Sequence, residues 1–449
     1  MSVKILAMKT VKNSIKKLIP KSVLDNFHYP EAKYYSKRQG YPADNMIVIG
    51  IVGSKGKTTT ANMLWSILSV AGNKVGQIST ANIRIGHKEQ LNKWHMTMPG
   101  SKRLQSLLAE MYKANCSHVI MEVPSEAQTQ WRHIGINFDI IIFTGVEKEI
   151  MAAHRNSMEI LHKHNKRVLQ YTQKNSQKII GGKTIEKTLI LNADNKYYSM
   201  YTSFDFDHKI TYSIENRSDF RAQNIEIAPQ GMRFEIDSCP YKLNIIGRVN
   251  VLNATGAIAA ASALGVSTTK IQKGLSELKT VPGRMESIDE GQDFMVFVDY
   301  AHDQPSLLAL LKTGKQLLDN TNKMIVLFGG QGGGRDVLRR AEMGEIAGKY
   351  ADYVVVSNDD PYDDPPMEII EDIATGAKKA GKVLDNNLFL IEDRRSGIHK
   401  ALQLAKPNDL VFIACKGADQ LMMIANGKSL PWDERTVTRE ELKKLLIQN

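Results

Sequence analysis

Several features that assign proteins to particular classes are scarce or missing in this sequence. Its 449 residues include three cysteines, Cys116, Cys239 and Cys415, whose odd number and wide spacing predict neither a disulfide framework nor a zinc site. No apolar run approaches the roughly 18 residues that a membrane-spanning helix needs. The first residues lack the apolar core and small-residue cleavage site of a secretory signal. We therefore expect a cytoplasmic protein without a membrane span.

Acidic residues are also in deficit. Lysine and arginine number 59 against 48 aspartates and glutamates, a net charge of +11. A positive surface suits anionic ligands, whether nucleotides, phosphorylated metabolites or nucleic acid. The lysines are dispersed, however, and no stretch interleaves aromatic with basic residues as a nucleic-acid platform does. We expect small-molecule substrates, no nucleic acid, and a monomer.

The clearest positive signal is the stretch 46–60, M-I-V-I-G-I-V-G-S-K-G-K-T-T-T. An apolar strand, a glycine-rich turn and a helix start follow one another, which is the context of a phosphate-binding loop. Glycines bring backbone N–H groups close to a phosphate, and the helix N-terminus and Lys57 add positive charge. The spacing departs from the usual loop, because Ile51 stands where a glycine is common. We predict a nucleotide triphosphate site formed by Gly53, Ser54, Lys55, Gly56, Lys57, Thr58 and Thr59.

The chain divides by pattern into a leader and two α/β regions. Residues 1–45 are basic with apolar residues at helical spacing, and two interpretations stay open: a helix packed on the next domain, or peripheral contact with an acidic membrane surface. Residues 46–282 alternate apolar strands with helices, which predicts a mostly parallel, P-loop-type sheet. Short alternating runs at about 198–247 predict an antiparallel excursion. Residues 283–449 repeat the α/β pattern and predict a Rossmann-like C-terminal domain.

Polar residues at predicted strand ends supply the rest of a site. Glu122 closes the strand H-V-I-M-E, and its carboxylate could complete a Mg²⁺ shell with the Thr58 hydroxyl and phosphate oxygens. The alternative is a solvent-exposed glutamate at a strand end. Ser125 and Glu126 follow in the same loop and could face substrate.

Three charged residues of the C-terminal region converge on the same crevice. Arg284 lies just past the boundary between the regions and could neutralise charge in phosphoryl transfer. The alternative for Arg284 is a structural salt bridge with Glu286. Asp299 and Lys416 each follow a predicted strand, so both lie at the carboxyl edge of that sheet.

The order of the motifs resembles that of the Mur ligases, most closely the UDP-N-acetylmuramoyl-tripeptide synthetase branch, which adds the third residue of the peptidoglycan stem peptide. The resemblance spans roughly residues 46–440. Folylpolyglutamate and cyanophycin synthetases share the chemistry and part of the pattern. The motifs are G-S-K-G-K-T-T-T, M-E-V-P-S-E-A, F-T-G-V, G-R-V-N-V-L-N-A, V-P-G-R-M-E, V-D-Y-A-H, N-D-D-P-Y and A-C-K-G.

The resemblance implies ATP-dependent amide ligation through an acyl phosphate, with Mg²⁺. It implies that Lys57, Glu122, Arg284 and His154 serve catalysis and that Thr58 and Glu122 bind the metal. It also implies that Asn253 contacts adenine and Asp299 the nucleotide. The residues that it implies for the acceptor and the incoming amino acid are Thr97, Ser125, Glu126, Asp359, Asp360, Tyr362, Arg394, Lys416 and Asp419.

Two departures from the family concern a second metal ion. After F-T-G-V the family carries an Asp-His pair, and here Glu149-Ile150 stands in its place. The family's carbamylated lysine aligns with Asn165, next to Lys166, while His154 is retained. Isoleucine cannot ligate a metal, so we expect the second site to be weak or rebuilt.

Three further departures concern substrates. The leader is far shorter than the family's UDP-binding N-terminal domain, which leaves UDP recognition open. Diaminopimelate-using members carry D-N-P-R where this chain has D-D-P-Y, residues 359–362. Without the arginine, the second carboxylate of diaminopimelate loses its partner, and the acidic pair favours a basic amino acid. The family's G-K-G-H-E also reads C-K-G-A-D here. Three functions stay open: this ligase, a degenerate nucleotide-binding homologue without ligase activity, or a ligase for another acceptor.

Overall fold

The computed structural model describes residues 21–448 apart from 95, 148–153, 155–156, 229–230, 320 and 335–336. None of the helices in these described ranges has the length and apolar character of a membrane span. The interpretations of the leader's first 20 residues, and of Glu149-Ile150, fall outside the described part of the chain.

The strands before residue 245 form one large sheet and two small ones. In chain order they are β1 Ile47–Val52, β2 Val75–Ile78, β3 Asn82–Ile85, β4 Lys88–Leu91, β5 His118–Glu122, β6 Ile140–Phe143, β7 Lys178–Ile180, β8 Lys183–Ile185, β9 Thr188–Asn192, β10 His208–Ser213, β11 Phe220–Arg221, β12 Gln223–Ala228, β13 Gly231–Ile236 and β14 Cys239–Leu243.

The large sheet has β1 at its centre. Its strand order is β11-β10-β9-β6-β1-β5-β2-β3-β4, and the pairs from β11 to β2 are parallel, while β2-β3 and β3-β4 are antiparallel. β1 pairs with β5 so that Ile51 stands opposite Glu122. Both strands are buried and apolar, as a sheet covered on two faces requires. The carboxyl ends of β1 and β5 therefore open side by side.

The predicted antiparallel excursion is only partly correct. Strands β12, β13 and β14 do form an antiparallel sheet. The run at Lys209–Ser213 was expected to belong to it, but β10 pairs in parallel with β9 and extends the large sheet. β10 lies near the edge of that sheet, with one end exposed and the other buried. Its mixed polar and apolar residues therefore resemble those of an antiparallel strand with one solvated face.

The helices cover both sheets. They are α1 Lys21–Arg38, α2 Lys57–Val70, α3 Ser101–Lys113, α4 Ser125–Thr129, α5 Met158–Asn165, α6 Arg167–Thr172, α7 Arg248–Ala263, α8 Thr268–Glu277, α9 Gln304–Leu317, α10 Leu338–Tyr350, α11 Pro366–Lys379, α12 Arg394–Gln403 and α13 Glu434–Gln448.

Helix α2, which begins at the phosphate loop, is held between the large sheet and helices α7 and α8. A Cβ at Gly274 of α8 would lie 2.5 Å from Ile67 Cα, so α8 approaches the α2 backbone at a residue without a side chain. The alanine-rich α7 is buried along its middle, from Asn250 to Ala261 apart from the half-buried Leu252. This packing fixes the start of α2 relative to β1.

The C-terminal region contains a second sheet. Its order is β15-β16-β20-β17-β18-β19, parallel except for β15-β16. The predicted class, a mostly parallel P-loop-type domain followed by a Rossmann-like α/β domain, is confirmed. The remaining strands are β15 Glu286–Ser287, β16 Met295–Val298, β17 Met324–Phe328, β18 Tyr353–Ser357, β19 Leu388–Ile391, β20 Leu410–Ile413, and the hairpin strands β21 Leu421–Ile424 and β22 Lys428–Pro431.

The carboxyl edges of the two sheets face each other. Lys55, in the loop after β1, forms an ion pair with Asp303, beyond the end of β16. A cavity of about 120 Å³ is lined from the first region by Thr80 and Thr97 and from the second by Tyr300 and Asp419. The crevice between the regions is therefore the natural position for a ligand.

Candidate active site

The phosphate loop turns at glycines that no other residue could replace without strain. Gly53 and Gly56 have φ of +135° and +81°. A Cβ on Gly53 would lie 2.3 Å from Thr144 Oγ1, and one on Gly56 would lie 2.3 Å from Asn253 Oδ1. The loop is thus closed on one side by the residue that follows β6 and on the other by helix α7.

Hydrogen bonds to the segment after β6 hold the loop in place. The Ser54 N–H donates to Gly145 O at 2.8 Å, and the Thr144 hydroxyl donates to Lys55 O at 2.6 Å. The Glu147 N–H donates to Ser54 Oγ at 3.1 Å. The F-T-G-V motif that follows β6 therefore supports the phosphate loop from the neighbouring strand.

Lys57 folds back over its own loop. Its Nζ donates to Gly53 O at 2.6 Å and to Ser54 O at 2.8 Å. Thr58 and Thr59 follow in the first turn of α2 and are nearly buried. An ammonium held at this point and the N-terminus of a 14-residue helix both present positive charge to the same position.

Glu122 is buried, so the alternative of a solvent-exposed glutamate at a strand end is wrong. Its side chain lies at the end of β5 with 1% of the residue exposed. Oε1 accepts the Thr80 N–H at 2.8 Å, and Oε2 lies 3.1 Å from Thr80 Oγ1. Thr80 Oγ1 also lies 2.9 Å from Thr97 Oγ1. The metal and acceptor residues predicted from the sequence are thus connected through a threonine that sequence reasoning missed.

The residues present fit one magnesium ion. Thr58 and Glu122 follow adjacent strands, and Mg²⁺ takes one or two protein oxygens together with substrate phosphates rather than a full protein cage. Within the described ranges, no group of three or more His, Cys, Asp or Glu side chains could enclose a metal by itself. The donor set therefore suits a metal that arrives with a nucleotide.

A second series of polar contacts starts at Ser125, the first residue of α4, and leads through His154 to His164. Ser125 Oγ lies 2.9 Å from His154 Nε2, and His154 Nδ1 lies 2.8 Å from His164 Nδ1. His154 is fully buried. Asn165, at the place of the family's carbamylated lysine, donates its amide to Leu161 O within helix α5 at 3.2 Å. Glu126 follows Ser125 in α4 and is exposed.

Arg284 stacks on Tyr300 instead of pairing with Glu286. Its Cζ lies 4.2 Å from the centroid of the Tyr300 ring, and Nη1 donates to Gly283 O at 3.0 Å. The Glu286 carboxylate lies 3.6 Å from nitrogens of both Arg435 and Arg439. The alternative of a structural Arg284–Glu286 salt bridge is therefore not what the side chains form.

Asp299 ends the strand that faces the phosphate loop. Its oxygens accept the N–H groups of Met285 at 2.7 Å and Ala301 at 2.8 Å. Burial raises the pKa of this carboxyl, and Arg284 partly opposes the rise. Asn253, the residue implied for adenine, is held by a 3.2 Å bond from its amide to Asn250 Oδ1.

The deepest charges of the site lie in the C-terminal region. Lys416 Nζ donates to Asp360 Oδ1 at 2.8 Å and lies 3.7 Å from Asp359 and 3.9 Å from Asp419. Lys416, Asp359 and Asp360 are each at most 1% exposed. Neither carboxylate oxygen of Asp359 has a hydrogen-bond partner among the described residues. Burial raises the pKa of Asp359 to about 6, although Lys416 opposes the rise.

Two residues implied for the amino-acid pocket have strong contacts of their own. The Arg394 Nε donates to Glu434 at 3.0 Å, and its Nη atoms donate to Asn358 O and Ala414 O. Arg394 is 2% exposed. Tyr362 has a φ of +53°, and its ring packs where a side chain on Gly333 would stand. Arg394 thus connects the loops that follow β18 and β20 through hydrogen bonds to their carbonyl groups.

Sequence reasoning also missed Asp303 and Gln331. Asp303 caps α9 by accepting the Ser306 N–H at 3.0 Å while it pairs with Lys55. Gln331 lines the cavity, and its amide lies 3.5 Å from Asp360 Oδ2. The D-Q-P sequence at the start of α9 is a recognisable N-cap signal, but only the fold brings Asp303 to the phosphate loop.

Comparison with known families gives two matches that together cover most of the chain. Residues 51–261 match the Mur ligase middle domain, and residues 283–417 match the domain described as Mur ligase, glutamate ligase domain.

Similar full-length proteins carry consistent names. A UDP-N-acetylmuramoyl-L-alanyl-D-glutamate--2,6-diaminopimelate ligase of Halalkalibacterium halodurans is 32% identical over 95% of this chain and 84% of its own. A UDP-N-acetylmuramyl-tripeptide synthetase of Roseiflexus sp. is 31% identical over 90% of this chain and 80% of its own.

Solved structures agree at the level of the fold. The Mycobacterium tuberculosis folylpolyglutamate synthase superposes with a TM-score of 0.67 at 16% identity, covering 95% of this chain and 97% of the other. A solved UDP-N-acetylmuramoyl-L-alanyl-D-glutamate--2,6-diaminopimelate ligase superposes with a TM-score of 0.59 at 23% identity, covering 89% and 79%.

Proposed function

The chain belongs to the Mur ligase family, and from that premise we propose that it is an ATP-dependent acid–amino-acid ligase that forms a carbon–nitrogen bond. Its acceptor would be a muramoyl-dipeptide-like carboxylate in peptidoglycan synthesis, within the cytoplasm. Residues 46–282 would form the ATP-binding domain and 283–449 the C-terminal ligase domain. The observation that carries the proposal is the crevice in which Lys55 of the phosphate loop pairs with Asp303, close after strand β16 and Asp299.

The first step joins two anions, so cations must screen them. An oxygen of the acceptor carboxylate attacks the γ-phosphorus of ATP, and the bond from that phosphorus to ADP breaks with its electron pair leaving on ADP. Lys57 and the loop N–H groups would hold the β- and γ-phosphates. Arg284, held on the Tyr300 ring, would add a further positive charge to the transferred group. A Mg²⁺ ion on Thr58 and Glu122 would neutralise phosphate charge.

The second step forms the amide. The amine nitrogen attacks the acyl carbon and loses a proton, and inorganic phosphate leaves with the electron pair of the carbon–oxygen bond. The free energy released by cleavage of ATP thus drives formation of the carbon–nitrogen bond. Closure of the crevice, with Lys55 on Asp303, would exclude water that could otherwise hydrolyse the acyl phosphate.

The incoming amino acid, we propose, has a cationic side chain. Lys416 already neutralises Asp360 at 2.8 Å, whereas Asp359 is buried with both carboxylate oxygens lacking hydrogen-bond partners in the described residues. A buried carboxylate in that state favours an ammonium group as its partner. Lysine or ornithine supplies one, and diaminopimelate adds a carboxylate that D-D-P-Y does not accommodate.

A phosphate-release assay tests the proposal. Purified protein would receive Mg·ATP, UDP-N-acetylmuramoyl-L-alanyl-D-glutamate and a panel of lysine, ornithine and diaminopimelate. We expect phosphate release that requires both the acceptor and a basic amino acid. Release that depends on neither would contradict ligation.

The second candidate is a homologue that binds nucleotide without ligating. The observation that favours it is Asn165, whose amide is bonded within its own helix at the place of the family's metal-binding lysine. In that case Mg·ATP binds, but no combination of acceptor and amino acid releases phosphate. The third interpretation is a ligase for another acceptor. Including a folylpolyglutamate-type acceptor in the same panel tests it, because phosphate release with that acceptor alone would support it.

A further inference from the structure

Thr80 connects two parts of the site that have separate tasks in the proposed reaction. It follows β2, beside β5, and both of its polar groups contact the Glu122 carboxylate, the N–H at 2.8 Å and Oγ1 at 3.1 Å. The same Oγ1 lies 2.9 Å from Thr97 Oγ1. Thr80 and Thr97 both line the cavity between the two regions.

The direction of these hydrogen bonds follows from counting protons. An ionised carboxylate only accepts, and a hydroxyl has a single proton. The Thr80 hydroxyl must therefore donate to Glu122, which leaves it only lone pairs for Thr97. The Thr97 hydroxyl must then donate to Thr80. As a result, Thr97 can offer the cavity only the lone pairs of its oxygen.

We propose that Thr80 is a positioning residue that makes Thr97 a hydrogen-bond acceptor, so that the acceptor substrate presents a donor to it. The donor is the amide N–H of the residue whose carboxylate is ligated. The inference rests on the proposed function. That amide is the substrate donor nearest the reaction, because only Thr80 Oγ1 separates Thr97 from the carboxylate that would hold the metal ion.

A network of hydrogen bonds holds the turn that carries Thr80, as a positioning role requires. Ser79 Oγ donates to Asn82 Oδ1 at 2.7 Å, and the Ser79 N–H donates to Asn82 O at 3.0 Å. Asn82 is fully buried and also accepts from Gln77 at 2.8 Å. Asn92 donates to Ser79 O at 2.8 Å and to Met96 O at 2.9 Å, which ties the turn to the segment before Thr97.

The test compares two acceptors in wild type and variants. One is UDP-N-acetylmuramoyl-L-alanyl-D-glutamate, and the other is its ester analogue, in which oxygen replaces the glutamate N–H. The readout is the ratio of kcat/KM for the amide to that for the ester. In wild type we expect the amide to be favoured at least about tenfold, because the ester oxygen faces the Thr97 lone pairs.

The variants separate positioning from folding. Thr80→Val frees the Thr97 proton to meet the ester oxygen, so the ratio should fall towards one, as in Thr97→Val. Thr80→Ser keeps the hydroxyl and should keep the ratio. Thr172→Val, a buried threonine bonded within α6, is the matched control and should leave the ratio unchanged. A purely structural role for Thr80 would lower both rates together and preserve the ratio.

The outcomes distinguish this inference from the proposed function. Turnover of amide and ester at equal rates by wild type would overturn the inference and leave the ligase standing. Without turnover of any acceptor, the proposed function fails, and calorimetric binding of the two compounds with Mg·ADP then decides the inference. Preferential binding of the amide, abolished by Thr80→Val, supports it. Equal affinities, or binding of neither compound, overturn it.

Discussion

The two halves of the crevice are built by different physical means. On the phosphate-loop side, the contacts are made by backbone groups and by Lys57, which is bonded to carbonyls of its own loop. On the C-terminal side, full charges are buried together, with Lys416 among Asp359, Asp360 and Asp419. One half is built from chain conformation, and the other from charge pairing.

The difference matters because the two kinds of site fail in different ways. A backbone loop keeps its shape when one side chain is removed, so a substitution there should change ligand binding more than stability. A buried charge cluster loses its balance when one member is removed, because the others stay desolvated without a partner. Four changes test this contrast, from the largest expected effect to the smallest.

Lys416→Met should have the largest effect, and on stability. It removes the cation that neutralises Asp360 and lies near Asp359, both buried. Breaking a buried ion pair costs about 3–5 kcal/mol, measured as the free energy of unfolding in urea. The double variant Lys416→Met with Asp360→Asn removes a charge of each sign and should recover part of that loss. An unchanged urea midpoint in the single variant would contradict the charge-pairing account.

Lys57→Ala should affect catalysis with little change in stability. Removing a cation from a transferred phosphate costs about 10²- to 10³-fold in rate, here measured as kcat/KM for ATP by phosphate release. Its contacts are to carbonyls of a loop that other bonds also hold, so the urea midpoint should stay close to that of wild type. Lys74→Ala, at an exposed lysine, is the control. Full activity in Lys57→Ala would refute the nucleotide site itself.

The pH dependence of Asp359 separates its two effects. Burial raises its pKa from 3.8 to about 6, so the stability that its protonated form contributes is present below pH 4 and is lost as the pH rises through about 6. Capture of a cationic amino acid needs the ionised form, so kcat/KM for lysine should fall about tenfold per pH unit below 6. Asp359→Asn should abolish both dependences. If kcat/KM for lysine changed with pH in the same way in wild type and in Asp359→Asn, Asp359 would not be the group that binds the cationic amino acid.

Gly56→Ala should have the smallest effect, and it tests the backbone side. The new Cβ would meet Asn253 Oδ1 at 2.3 Å, and the left-handed backbone costs a further 1–2 kcal/mol or so in unfolding free energy. At Gly72, φ is +93° and a Cβ would meet no atom of the described residues within 4 Å, so Gly72→Ala carries only the backbone cost. We expect KM for ATP to rise in Gly56→Ala alone. An equal KM for ATP in both variants would mean that the contact with Asn253 does not restrict the conformation of the phosphate loop.

Much of the nucleotide half could be predicted from the sequence, because its determinants are close together in the chain. Residues 53–58 contain the turn, the ammonium group and the helix start, and the strand before them is continuous and apolar. The family assignment, which rested on such motifs in order, is confirmed by the matched domains and relatives. The roles of the individual site residues stay predictions.

Other features escaped because they depend on which elements become neighbours. Thr80 has no motif of its own and gains its contacts only because β2 pairs beside β5. The parallel pairing of β10 was missed because this strand, next to the edge strand β11, is exposed at one end and mixes polar with apolar residues. The Arg394–Glu434 contact joins residues 40 positions apart, so only the fold shows it, and the substrate role of Arg394 stays a prediction.

The sequence by itself determined the α/β class, the phosphate loop and the family, since local backbone preferences and burial periodicity act over a few residues. Tertiary structure alone decided that Glu122 is buried and bonded to Thr80 and that Lys55 meets Asp303 across the crevice. It also decided that Asp359 lacks, among the described residues, the hydrogen bonds that Asp360 has. These are properties of charges and protons, whose energies depend on distance and solvent exposure, and both are set only when the sheets pack together.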